Sequence, residues 1–158
     1  MEIEDKIKSF QAQLDERDWI ILSAVQDNAR VSFAELGRQA RLSPPAAAER
    51  LRRLEDLKII QGYHAQISYE HLGLQMTAII EVRVKRSDYL RFQKAVERLP
   101  SILECHHISG RASFLLKAAV PSVPALETLI GGLSQYGDTF TSLVLSTIVK
   151  RRAFRREL

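Results

Sequence analysis

Cysteine is almost absent from this sequence: Cys105 is the one thiol among 158 residues. A single thiol closes no internal disulfide, so the fold must rest on its core, and a reducing cytoplasm is the expected location. Long apolar runs are missing too. None approaches the roughly 20 residues that cross a bilayer, and the opening MEIEDKIKSF lacks the apolar stretch of a secretory signal, so no membrane partner is expected. There is no glycine-rich phosphate loop, paired-carboxylate motif or Ser/His/Asp arrangement. No catalytic residue and no cofactor is assigned. His106 and His107 are neighbours on an extended stretch and so point to opposite faces. Cys105 and His107 share a face, but two ligands without a third make no metal site.

Charge is present but unevenly placed. The formal net charge is +4. Residues 1–70 carry 10 Lys and Arg against 12 Asp and Glu, whereas residues 71–158 carry 13 against 7. Five of the latter cations are Lys150, Arg151, Arg152, Arg155 and Arg156. Bulk charge therefore does not point to the N-terminal half as a nucleic-acid binder; local pattern has to do so.

That pattern is three short helices. Asp15 can cap the first, with Leu14 stapled against Trp19, and Ile21, Leu22 and Val25 form one apolar face. Ser32 and Glu35 have capping-box spacing, and Leu36 and Ala40 carry the second helix. Ser43 caps the third, where Pro44 loses nothing by lacking an N–H. Ala47, Leu51 and Leu54 face inward. The second and third helices joined by a tight turn form a helix-turn-helix, whose last helix enters the major groove. Ser43, Pro45, Ala46, Glu49, Arg50 and Arg53 are the expected DNA-contacting residues: small side chains allow close approach, Arg reaches phosphate or guanine, and Glu accepts from cytosine. The same charges also suit a solvated, salt-bridged face. Residues 59–67 read as extended, the hairpin wing of a winged helix.

The second half alternates strands and helices. Ala78–Lys85 has period 2, followed by a helix with Ser87 at its cap and Tyr89, Phe92, Val96 and Leu99 at helical spacing. Strands over Ile102–Ser109 and Phe114–Val120 flank a Gly110 turn. Pro121-Ser122 opens a helix through Leu126, Leu129, Ile130 and Leu133, and Phe140–Ile148 is the last strand. The order β-α-β-β-α-β is ferredoxin-like. The fold class expected is thus α+β, a winged helix-turn-helix followed by a ferredoxin-like regulatory domain. Its boundaries are 1–62 for the DNA-binding domain with an N-terminal extension, 63–74 for a linker strand or hinge, and 75–158 for the effector-binding and oligomerisation domain. A sheet with helices on one face needs a partner for the other, so a homodimer through the sheets is expected.

Leu14-Asp15, Asp18, Ile21-Leu22, Glu35-Leu36, Leu42-Ser43-Pro44, Glu49 through Glu55, Ile60-Gln61-Gly62-Tyr63, Ile108-Ser109-Gly110 and Leu115-Leu116-Lys117 follow one another in a known order. They resemble the leucine-responsive/asparagine (Lrp/AsnC, feast/famine) regulators. The resemblance implies a transcription regulator that binds double-stranded DNA, dimers that assemble to tetramers or octamers, and an amino acid or related metabolite as effector. An effector is expected between C-terminal domains near Ser109, Gly110, Arg111, Ala112, Ser113, Thr139 and Thr141, where the glycine turn leaves backbone N–H groups available to a carboxylate. The sequence departs from the family pattern in three places, the third being Arg111-Ala112-Ser113-Phe114. Arg41 and Lys58 stand where glycine is usual, at backbone that needs a left-handed conformation. Ser113 stands where the family has an aspartate that helps build the effector pocket, and Arg111 adds a cation, so three readings stay open: an acidic ligand, an otherwise atypical one, or a vestigial pocket with none. Two further functions fit the same residues. One is an enzyme like the siroheme decarboxylases, which share the fold and use His and Arg, here His106, His107 and Arg111. The other is a ligand-binding oligomer without DNA binding.

Overall fold

The computed structural model describes residues 14–150 and 152–155; the N-terminal extension, Arg151 and Arg156 lie outside them. The chain is α+β and forms two compact units. One takes residues up to Gln66 together with those from Val149 onward; the other is Ile67–Ile148.

The first unit is helical: α1 spans Glu16–Asp27, α2 Phe33–Ala40 and α3 Pro44–Asp56. Each helix starts where a side chain can accept from its first free N–H groups. The Asp18 N–H donates to Asp15 Oδ1 at 2.9 Å, and the Asp15 N–H donates back to Asp18 Oδ2 at 3.1 Å. Ser32 accepts from the Glu35 N–H and Ser43 from the Ala46 N–H. The box at Ser32 is only half closed, because the Glu35 carboxylate turns to Arg38 and Gln39 instead. Ile21, Leu22, Ala24, Val25, Leu36, Ala40, Ala47 and Leu54 make the core. The turn between α2 and α3 needs Gly37: a Cβ there would lie 2.6 Å from the Leu42 carbonyl oxygen. Arg41 and Lys58 both adopt the left-handed conformation, at φ 53° and 57°, each costing about 1 kcal/mol relative to glycine.

The expected wing hairpin does not form. Among the described residues, 59–67 pair with no strand. The Ile59 and Ile60 N–H groups both donate to the Leu54 carbonyl, and the two side chains pack on the helical core. The β-branched pair that read as a strand start is a hydrophobic cap on the end of α3.

The second unit is a four-stranded antiparallel sheet, β1 Met76–Val84, β2 Ile102–His107, β3 Phe114–Val120 and β4 Gly137–Leu143, in the order β2-β3-β1-β4, with α4 Tyr89–Val96 and α5 Val123–Ser134. This is the ferredoxin-like order. Ala78, Ile80, Val82 and Val84 on β1 and Phe114, Leu116, Ala118 and Val120 on β3 pack against Phe92, Val96, Leu126, Leu129 and Leu133. Gly137 sits opposite Val84 where a Cβ would run into the Arg83 carbonyl, so the β1–β4 pairing requires glycine there. Several boundaries differ from the sequence reading: β1 runs Met76–Val84 in place of Ala78–Lys85, and β2 stops at His107, short of Ser109. Ser87 does not cap α4; it lies in a 3₁₀ turn, Arg86–Asp88, that precedes the helix. β4 stops at Leu143, opposite Ala78, because β1 begins only two residues earlier; Val144 adds one bond to Thr77 and the ladder ends. No helix among the described residues is long and apolar enough to cross a membrane.

Candidate DNA-reading helix and effector turn

The third helix is held on the first by charge as well as by packing. Asp18 is 1% exposed, yet it carries a carboxylate. Three groups meet it: the Asp15 N–H, Arg50 Nη1 at 2.9 Å from Oδ1, and Arg53 Nη2 at 3.6 Å from Oδ2. Arg50 also reaches Asp15 at 2.7 Å, and its side chain is only 25% exposed. The Asp18 N–H and then the Arg50 guanidinium hold the Asp15 carboxyl below the usual carboxylate range. Buried charges persist only when paired and hydrogen-bonded, and here the pairing joins the start of α1 to the middle of α3.

The sequence reading set Arg50 among the DNA-contacting residues; the structure turns its guanidinium inward, 32 residues back along the chain. Ser43, Pro45, Glu49 and Arg53 are exposed and Ala46 is half-buried. Arg52, which the sequence reading left out of the set, is exposed and lines one concave surface with Ala46, Glu49, Arg50, Arg53 and Asp56. On this face Pro45, Glu49, Arg52 and Arg53 are exposed, and Ala46 and Arg50 are half-buried. Tyr63 steadies the exit from this helix. Its hydroxyl donates to Glu55 at 2.7 Å, and burial together with that bond pushes its pKa up to about 12.

The seven residues expected around an effector are not brought to one place within the chain. Ser113 is buried, donating to the Val84 carbonyl at 3.1 Å and accepting from the Val84 N–H, which ties the turn to β1. Ala112 is buried beside it. Thr139 and Thr141 lie opposite Val82 and Ile80, on the helix-covered face of the sheet. Arg111 goes to the other face. Its Nε and Nη2 donate to the two oxygens of Glu81 at 2.7 and 2.6 Å, and its guanidinium lies 6.0 Å from the Phe140 ring centre. That bidentate pairing holds the Glu81 carboxyl below its ordinary range. Arg83 Nε donates to the Arg111 carbonyl, while the N–H groups of Gly110, Arg111 and Ala112 donate to no backbone carbonyl among the described residues. Sequence reasoning missed Glu81 and Asp18 as partners. Nothing local marks Glu81, whereas Asp18 carried a signal in its spacing from Asp15.

His107 packs edge-on to Tyr89 and beside Phe114, and His106 sits within 3.4 Å of Glu104. Among the described residues no three His, Cys, Asp or Glu side chains come together as metal ligands.

Residues 14–55 match the AsnC-type helix-turn-helix domain, and residues 77–154 the Lrp/AsnC ligand binding domain. The chain is 38% identical over 136 residues to the HTH-type transcriptional regulator LrpC of Bacillus subtilis, covering 86% of this chain and 94% of that one. It is 35% identical over 151 residues to the leucine-responsive regulatory protein of Escherichia coli, covering 91% and 92%. The structure of B. subtilis LrpC superposes with a TM-score of 0.83 at 37% identity, over 88% of this chain and 99% of that one. A Neisseria meningitidis transcriptional regulator in complex with L-methionine gives 0.84 at 30% identity, over 90% and 96%. With the helix-turn-helix in its first unit and the ligand-binding fold in its second, the chain belongs to the Lrp/AsnC family and is a DNA-binding transcription regulator.

Proposed function

We propose that this regulator reads duplex DNA with the exposed face of α3, through Pro45, Ala46, Glu49 and Arg53, joined by Arg52 and with Ser43 at the helix start, while Arg50 holds the helix in place. The observation that carries this reading is the division of labour on α3: Arg50 is locked to a buried carboxylate, while Glu49 and Arg52 are exposed and make no ion pair among the described residues. Footprinting on its own and neighbouring promoters tests it. Arg53→Ala is expected to weaken a protected site by about 1–3 kcal/mol, as loss of a base contact does; full protection by a Glu49→Ala/Arg52→Ala/Arg53→Ala variant would refute it.

The protein is proposed to act in the cytoplasm as a dimer that assembles further, with 63–74 as the connector between its domains. Phe140, Leu143, Leu145 and Ile148 are exposed apolar side chains along β4 and its continuation, and a second copy is the partner that would cover them. Sedimentation at micromolar concentration showing only a folded monomer would overturn this.

The effector is proposed to be an amino acid or a related metabolite bound at the 109–112 turn, in keeping with the N. meningitidis relative that holds L-methionine. Free N–H groups and Arg111 suit a carboxylate. Glu81 supplies, from a different strand, an acid that Ser113 does not. Because Glu81 already neutralises Arg111, a zwitterion gains on both charges and an acidic ligand gains less than Arg111 alone suggests. Calorimetry with the twenty amino acids decides: binding lost in both Arg111→Ala and Glu81→Gln supports the site, and binding unchanged in both removes it.

A further inference from the structure

Beyond Val149 the chain belongs to the helical unit, and Phe154 and Arg155 dock on α1. The Gln26 side-chain amide clasps the Phe154 backbone twice: Nε2 donates to the Phe154 carbonyl at 3.0 Å and Oε1 accepts from its N–H at 2.8 Å. Phe154 lies 6.3 Å from the Trp19 ring, in a groove also lined by Leu22, Val25, Ile60 and Tyr63. Arg155 adds a two-oxygen contact with Asp27 at 2.9 and 3.1 Å. A side-chain amide bonding both polar groups of one residue reproduces what a neighbouring strand would offer, so the backbone is held rather than merely near.

The charge of the helical unit depends on this segment. Residues 1–66 carry 10 Lys and Arg and 11 Asp and Glu, a net of −1, which repels a polyanion. Residues 149–158 carry five cations and one anion, which brings the sum over the two stretches to +3. Lys150 and Arg152 are exposed and make no ion pair among the described residues. A unit of this length has a radius of gyration of about 11 Å, close to the Debye length of about 8–10 Å at 0.1–0.15 M salt. Cations fixed on it are therefore felt by a duplex bound to it.

We propose that the docked segment, described over 149–150 and 152–155, is an electrostatic part of the DNA-binding unit, supplying through Lys150 and Arg152 a phosphate attraction that the net charge of residues 1–66 does not. Its partner is the sugar-phosphate backbone of duplex DNA of any sequence, distinct from the base reading assigned to α3.

The experiment measures binding of the full chain to a random-sequence duplex by fluorescence anisotropy across a salt series. Each phosphate contact contributes about 0.9 to the slope of log K against log salt. Lys150→Gln/Arg152→Gln is expected to reduce the slope by about 1–2 and weaken binding at 0.1 M salt by tenfold or more. Lys94→Gln/Arg98→Gln removes the same charge from exposed positions on and just beyond α4 in the other unit, and is expected to leave the slope unchanged. Gln26→Ala keeps every cation but opens the clasp, and is expected to weaken binding several-fold. An unchanged slope in the Lys150/Arg152 variant overturns the proposal, as does an equal loss in the Lys94/Arg98 control. A Gln26→Ala variant that binds like the parent overturns the requirement for docking. Sedimentation of each variant, matching the parent, confirms that assembly is not what moved. Loss of footprint specificity with the random-duplex slope intact would instead bear on the reading of α3.

Discussion

Replacing Arg50 with alanine separates two ideas about the same side chain. If its guanidinium met DNA, the change would cost affinity and spare the fold. The pairing with Asp18 and Asp15 leads to the opposite expectation. Arg50 is the nearest cation to Asp18, which is 1% exposed. Removing one partner of a buried ion pair costs about 3–5 kcal/mol. Here the Asp15 N–H and Arg53 at 3.6 Å remain, so about 2–3 kcal/mol is expected. For a domain of this size 1 kcal/mol moves the melting point by about 4–8 °C, giving a fall of roughly 10–20 °C in the helical unit. Thermal unfolding followed at 222 nm measures it, with Asp18→Asn/Arg50→Ala as the closing variant. The double variant should lose less than the sum of the two singles, because the neutral amide no longer needs its cation. An Arg50→Ala protein that melts like the parent but binds its operator tenfold more weakly would show that Arg50 reads DNA and that the inward pairing does not matter.

Other outcomes follow from particular contacts. Gly37→Ala should destabilise the helical unit by about 2 kcal/mol or more, since its Cβ would meet the Leu42 carbonyl at 2.6 Å; a parent-like urea midpoint would contradict this. Lys58→Gly should stabilise by about 1 kcal/mol by relieving φ 57° in a residue with a Cβ, read from the same midpoint. Glu81 should titrate below 4.5 by NMR and return toward that value in Arg111→Ala. Because its folded pKa is lowered, the stability from this pair is present above the ordinary carboxylate value and is lost as pH falls through the folded one. Tyr63 has the opposite sign. Its folded pKa, about 12, is raised above 10, so its contribution holds below pH 10 and disappears between pH 10 and about 12, a loss absent in Tyr63→Phe.

Much of the fold was legible because its signals are local. Ser43 and Ser122 cap where a hydroxyl precedes a run of helical spacing, and β3 begins at Phe114 because inward and outward residues alternate from there. Ser87 was misleading for the same reason, being a good cap in the wrong register. Arg41 and Lys58 could be read as left-handed because the family resemblance marks glycine there. The site was legible only in part. Which way Arg50 turns depends on Asp18, and where Arg111 goes depends on Glu81; both partners lie about 30 residues away in sequence. Periodicity places a residue on a face but does not choose its partner. Ile59 and Ile60 show the limit from the other side: β-branched residues favour a strand, but an apolar core within reach of the α3 end claims them first.

The docking of Phe154 on α1 also sets an order of assembly. During synthesis α1, α2 and α3 leave the ribosome first and can fold as a helical unit early. The residues that clasp Gln26 follow only after the whole sheet unit, Ile67–Ile148, has been made. Until then the nascent helical unit is acidic and has little attraction for nearby nucleic acid. Its basic complement arrives with the last stretch of chain described, so maturation of the DNA-binding surface is delayed until the regulatory fold has been translated.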